Sequence, residues 1–187
     1  YHVKDGAPLD IGFHGYRSHP ITDFSGGTEL SFQLEHNVLL IDERAHGRSE
    51  GKTITFGIKE RYDCFSWVEW AQQKFGMDVQ IILAGLSMGG METKRITMAR
   101  PEVFNYYGLM SGGTYSPEDI KDKNQVDLIF MSCGSKENPQ GVTRAAEALK
   151  EAGFNAVSYV SEGTAHEFLT WRRSLQQMAP LLFNNKK

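Results

Sequence analysis

The chain has 187 residues, 40% of them hydrophobic and 23% charged, with a formal net charge of -3, enough material for one sizeable core and not for two. A pI near 6.1 argues against nucleic acid or an anionic membrane as the main partner, since neither is drawn to such a surface. No stretch is long or apolar enough to span a bilayer, and Tyr1-His2-Val3-Lys4-Asp5 does not read as a signal peptide, so a cytoplasmic or a secreted location stays open. Cys64 and Cys133 read as small core residues rather than a disulfide framework. The histidines His2, His14, His19, His36, His46 and His166 lack a two-ligand helical spacing, so neither a metal site nor a cofactor is expected.

Strand and helix alternate from end to end, the pattern of a parallel sheet covered by helices on both faces, and no linker or repeat divides residues 1–187. Leu9 to Phe13 is a short strand running into His14-Gly15-Tyr16. Gly26 to Leu34 is a helix opened by glycines, and Asn37 to Asp42 a strand with a continuous apolar run. A helix with three- and four-residue steps follows, burying Ile58, Tyr62, Phe65, Val68, Ala71 and Phe75, with Thr55 as a cap and Gly76 as its stop. Next come the strand Val79 to Ala84, a helix to about Arg100, the strands Phe104 to Met110 and Asp127 to Cys133, and a helix from Val142 to Ala152. Ala156 to Val160 is the last strand. The terminal helix, roughly His166 to Phe183, is expected to bury Phe168, Leu169, Trp171, Leu175, Met178 and Leu182.

The segment that carries chemistry is Gly85-Leu86-Ser87-Met88-Gly89, set between an apolar strand and a helix. This is the pattern of a nucleophile elbow: the serine occupies a strained turn that lifts its hydroxyl above the sheet, and the flanking glycines avoid collision with neighbouring backbone. A serine hydroxyl needs a base within hydrogen-bond reach and a carboxylate to orient that base. His166, between the last strand and the last helix, is the candidate base. Glu137 is the one acid in the loop Gly134-Ser135-Lys136-Glu137-Asn138-Pro139 and the candidate orienting group; Asp119, Asp122 and Asp127 precede the strand, and Glu162 and Glu167 lie too close to His166 in sequence. Two backbone N–H groups must converge on the developing oxyanion. Met88, at the positive end of its helix, and Tyr16, after His14-Gly15, are expected to supply them. Tyr115 and Trp171 can line an acyl pocket or serve as ordinary packing aromatics.

Together these residues resemble the α/β-hydrolase superfamily over nearly the whole chain. His14-Gly15-Tyr16-Arg17-Ser18-His19-Pro20 and Asp42-Glu43-Arg44-Ala45-His46-Gly47-Arg48-Ser49 look like bacterial lysophospholipase- and acyl-esterase-type hydrolases. Gly85 to Thr93, Gly108-Leu109-Met110-Ser111-Gly112-Gly113 and Gly163-Thr164-Ala165-His166-Glu167-Phe168 look like feruloyl and acetylxylan esterases of the first carbohydrate esterase family. The two likenesses suggest a chimera joined near residues 85–95. They imply an α/β-hydrolase-like sheet lacking the family's first two strands, which leaves Asn37 to Asp42 as a long unpaired edge and favours a homo-oligomer that covers it. They also imply a serine carboxylesterase acting on small esters or acylated polysaccharide, with feruloyl or acetyl groups as the acyl part. The alternative is a folded but catalytically idle scaffold.

Overall fold

In the computed structural model, which describes residues 1–182, six parallel strands form one sheet in the order β2-β1-β3-β4-β5-β6. β1 is Leu9–Phe13; α1 (Pro20–Asp23) and α2 (Ser25–Gln33) lead to β2, Asn37–Leu40. α3 (Glu60–Phe75) connects to β3 (Ile81–Leu86), and α4 (Met88–Ala99) to β4 (Tyr106–Met110). β5 is Leu128–Gly134, followed by α5 (Pro139–Glu151), β6 (Ala156–Ser161) and α6 (Phe168–Met178).

The apolar runs of the central strands follow from burial on both faces. In β3, Ile81 and Leu83 belong to a core cluster shared with Cys64 and Val68 of α3 and Ile96 of α4. Ile82, Ala84 and Leu86 point the other way, to Phe24, Met178, Trp171 and Leu175. The chain steps from β1 outward to β2, then recrosses β1 to build β3 and the rest of the sheet. The loops leaving β1 and β3 therefore part at a reversal of strand order, where open α/β sheets place their functional crevice.

Two helices bury much of the expected stripe, Val68 and Ala71 with Phe65 and Phe75 against the core in one and Met178 with Trp171 and Leu175 in the other, but they add inward polar residues and leave some expected positions out. In α3 the buried positions are Glu60, Cys64, Val68 and Ala71, while Tyr62 and Ile58, which precedes the helix, are exposed. The inward stripe opens with a carboxylate that apolar periodicity cannot flag: Glu60 is buried because it accepts from Thr55 N–H (2.8 Å), Gly57 N–H (2.8 Å) and the Thr55 hydroxyl. Thr55 is not the cap of α3: Lys59 holds the N-cap position with no side-chain cap bond, and Thr55 Oγ1 accepts Lys59 N–H one turn earlier at 2.9 Å. In α6 the buried residues are Thr170, Ser174 and Met178, with Phe168 exposed and Trp171 and Leu175 half-buried. Thr170 Oγ1 lies 2.7 Å from Thr164 Oγ1 and 2.5 Å from the carbonyl of Ala165, so the hydroxyl face is drawn inward. The α-helix gives way to a 3₁₀ turn, Ala179–Leu181, at Pro180, which cannot continue it; Phe183 lies outside the described residues.

β2 is indeed the sheet edge, but it is shorter than expected and partly covered. Its ladder ends at Leu40, and Val38 exchanges two backbone hydrogen bonds with Tyr1, Tyr1 N–H to Val38 O at 2.8 Å and Val38 N–H to Tyr1 O at 2.9 Å. The stretch open to edge pairing shrinks accordingly. Among the described residues no helix is long and apolar enough to cross a membrane.

Beside the sheet, where the loop after β2 meets α3 and α4, Glu43 and Glu92 are buried facing each other, and their carboxyl oxygens find no hydrogen-bond partner outside the pair. Burial is the main reason both titrate well above the ordinary 4.5. The charges of Glu92 and Glu60 add to the effect on Glu43; Glu60 and Asp63 add to that on Glu92, and Arg95 opposes it. The folded pair keeps protons that the unfolded chain releases. Its contribution is therefore intact below about pH 4.5 and lost as pH rises through the raised values. Urea unfolding from about pH 5 to about pH 9 should show stability falling with pH, and Glu92→Gln should flatten that fall. Equal slopes in the two proteins would contradict this account.

Candidate active site

Ser87 follows β3 directly and holds φ 55° and ψ -113°, a conformation that costs on the order of 1–3 kcal/mol for a residue with a side chain. Close packing imposes it. A Cβ on Gly85 would lie 2.0 Å from the carbonyl oxygen of Gly89, and one on Gly89 would lie 2.2 Å from that of Phe13. The elbow is fastened by Ser87 N–H donating to Met110 O at 2.8 Å and by Gly90 N–H donating to Ser87 O at 3.1 Å.

The three residues chosen from sequence for proton transfer come together. His166 Nε2 is 2.7 Å from Ser87 Oγ, and His166 Nδ1 is 2.8 Å from Glu137 Oε1. With Nδ1 as the donor to the carboxylate, Nε2 presents its lone pair to the hydroxyl. The other Glu137 oxygen accepts from Gly134 N–H (2.6 Å) and from the Ser111 hydroxyl (2.8 Å). In the sequence Ser111 is only the first residue of a glycine turn. Its left-handed φ of 53° aims its side chain in a way sequence does not announce. Backbone bonds join the loops that carry the acid and the imidazole: Ser135 N–H to Ser161 O at 2.9 Å and Lys136 N–H to Thr164 O at 3.0 Å.

The loop after β1 is pinned on either side of Tyr16. Gly15 N–H donates to Asp23 Oδ2 at 2.7 Å, and Arg17 N–H donates to His46 Nε2 at 3.2 Å. Tyr16 N–H has no partner among the described residues, nor has that of Met88 at the first position of α4. Gly15 lies against the nucleophile, since a Cβ there would be 3.7 Å from Ser87 Cβ. Asp23, which also accepts the Ser18 hydroxyl at 2.6 Å, is a support that sequence reading missed.

Tyr115 does not reach this site. It is buried against Tyr107 with its hydroxyl 2.5 Å from Thr97 Oγ1, because the chain leaving Gly113 dives into the α4 side of the core. Trp171 does reach it, its ring edge-on to that of His166 with centroids 5.4 Å apart.

The fold also gathers His14, Glu43 and His46, whose ligand-type atoms lie within 4.8 Å of one another, although sequence spacing scatters them. Both imidazoles are already committed. His14 lies 2.8 Å from Gly15 O through Nδ1 and accepts Glu43 N–H through Nε2 at 3.3 Å. His46 uses Arg44 O and Arg17 N–H in the same way. Nδ1 of His14, the nitrogen 3.9 Å from the Glu43 carboxylate, therefore carries the proton and cannot offer a lone pair to a metal. Burial lowers the pKa of His14, which keeps the ring neutral in this role.

No protein-family model matches the chain. In overall structure it is similar to XC6422 from Xanthomonas campestris, described as a member of the α/β serine hydrolases without a lid: TM-score 0.71, 20% identity, 94% of this chain and 82% of that one covered. It is also similar to Est1E from Butyrivibrio proteoclasticus, solved with ferulic acid bound: TM-score 0.69, 18% identity, 92% and 88% covered. With this topology and these likenesses, the chain has the α/β-hydrolase fold. In sequence it is 66% identical over 101 residues, 54% of the chain, to an endo-1,4-beta-xylanase/feruloyl esterase of Xylanibacter ruminicola. The match spans 14% of that protein's length.

The packing at the elbow makes a sharp expectation. Gly89→Ala should lower unfolding free energy by about 3 kcal/mol or more, since the new methyl group meets rigid backbone rather than a movable side chain. A urea midpoint within error of wild type would show that α4 can move away.

Proposed function

We propose that the chain is a serine carboxylesterase. The reading rests above all on the continuous hydrogen-bonded line from Ser87 Oγ through His166 to Glu137 at a serine held in a left-handed turn. His166 Nε2 takes the Ser87 proton as Oγ attacks the ester carbonyl, and Glu137 holds the imidazole and the imidazolium that forms. The N–H groups of Tyr16 and Met88, left without partners, hold the oxyanion. Collapse of the tetrahedral adduct expels the alcohol, which takes its proton from His166. Water, activated by the same nitrogen, then releases the acid and restores Ser87. No cofactor enters these steps.

For the acyl group we favour hydroxycinnamoyl, with acetyl as the smaller candidate, carried on plant polysaccharide or a small alcohol. Two likenesses support this choice: the relative named as a feruloyl esterase and the ferulic acid bound to Est1E. Trp171, edge-on to His166, is placed to border the bound ester.

The test pairs a fluorophosphonate probe with p-nitrophenyl acetate. Wild type should take one label and turn over substrate; Ser87→Ala should take none and lose activity by about 10³-fold or more, and Glu137→Gln should lose less than Ser87→Ala. A wild type that takes no label and turns over no faster than Ser87→Ala would instead support the idle scaffold.

A further inference from the structure

Two aromatic rings stand in solvent beside the loop after β1. Tyr16 and Phe56 are 50% and 42% exposed, with ring centroids 6.1 Å apart and planes inclined by 21°. The Arg17 guanidinium lies 5.3 Å from the centre of the Tyr16 ring. Exposed aromatics are common; what sets Phe56 apart is its backbone. It has φ 52°, unfavourable for a bulky side chain, and it is held there from both neighbours. Thr55 N–H and Gly57 N–H each donate to the buried Glu60 carboxylate at 2.8 Å. Gly57 is wedged against α4, where an added Cβ would lie 3.1 Å from Glu92 Cα. The fold thus fixes a strained residue whose ring packs in solvent rather than in the core. Strain that the surroundings over-determine is found where position matters for function.

That position borders the nucleophile. Tyr16 adjoins Gly15, where a Cβ would come within 3.7 Å of Ser87 Cβ, and the Tyr16 main chain is the oxyanion donor proposed above. A carbonyl seated on Tyr16 N–H lies beside the residue whose ring stacks on Phe56. We infer that the Tyr16–Phe56 pair is an aryl-binding wall that selects esters whose acyl group ends in a planar aromatic ring. This deepens the esterase reading and rests on it. Rigid aromatics give contact area at little cost in conformational entropy, and a third ring can stack on the pair or meet its edge.

The experiment compares kcat/KM for methyl ferulate and methyl butanoate, which share a leaving alcohol, in wild type, Phe56→Gly and Phe56→Trp. Glycine accepts a positive φ without strain, so Phe56→Gly should hold or raise the thermal midpoint while the ferulate-to-butanoate ratio falls about tenfold, mainly through a higher KM for ferulate. Phe56→Trp should restore most of the ratio. A ratio that Phe56→Gly leaves unmoved overturns the aryl wall alone. So does a thermal midpoint that drops with both kcat/KM values falling together, which would make Phe56 a structural residue. A wild type that hydrolyses neither ester overturns the wall and the esterase reading together.

Discussion

Between the carbonyl oxygen of Phe13 and the first turn of α4 there is space for a hydrogen atom and for nothing larger, as the 2.2 Å approach of a hypothetical Gly89 Cβ shows. That contact sets how near α4 comes to β1 and β3. With Gly85 equally crowded against Gly89, the chain can turn from β3 into α4 only by putting Ser87 in a left-handed conformation. The hydroxyl is raised from the sheet by main-chain packing, before any side chain of the site is considered. The N-terminus of α4 then stands directly after Ser87, which in the acyl transfer proposed above puts the Met88 N–H and the positive end of the helix where negative charge develops.

The other parts of the site are held by short local ties. The acid and the imidazole sit on adjacent loops after β5 and β6, joined by backbone hydrogen bonds. Glu137 receives donors from His166, Gly134 and Ser111, so the carboxylate is oriented by direct bonds. On the opposite side, Asp23 and His46 occupy the N–H groups flanking Tyr16 and leave its own free. The site thus draws on the loops after β1, β3, β4, β5 and β6, and hydrogen bonds between and beside them fix the side chains, the kind of support a preorganised site needs.

Much of this arrangement was legible in the sequence, for identifiable reasons. A fully buried parallel strand must read as an apolar run, and an elbow must carry small residues on both sides of its serine, so β3 and Ser87 declare themselves. Chain order after the elbow then left few candidates for base and acid. Inward polar residues were less legible. Glu60, Thr170 and Ser174 are buried because hydrogen bonds satisfy them, and hydrophobic periodicity has no symbol for a satisfied polar group, so the sequence shows the apolar part of the inward faces of α3 and α6 and not the polar part. From sequence Tyr115 can be either a pocket or a packing residue; it is a packing residue, because the direction in which the chain leaves the glycine turn is a tertiary property. The meeting of Glu43 with Glu92, and of His14 with His46, joins residues distant in the chain and leaves no local trace.

The central claim is that Ser87, and no other group, carries the acyl intermediate after His166 removes its proton. Quenching the protein with acid during turnover of p-nitrophenyl acetate and mapping the peptides by mass spectrometry tests it directly. The account predicts a single acetyl adduct on Ser87 in wild type, and its loss in His166→Ala. Hydrolysis with Ser87 unmodified, or equal acetylation of Ser87 with and without the imidazole, would contradict it.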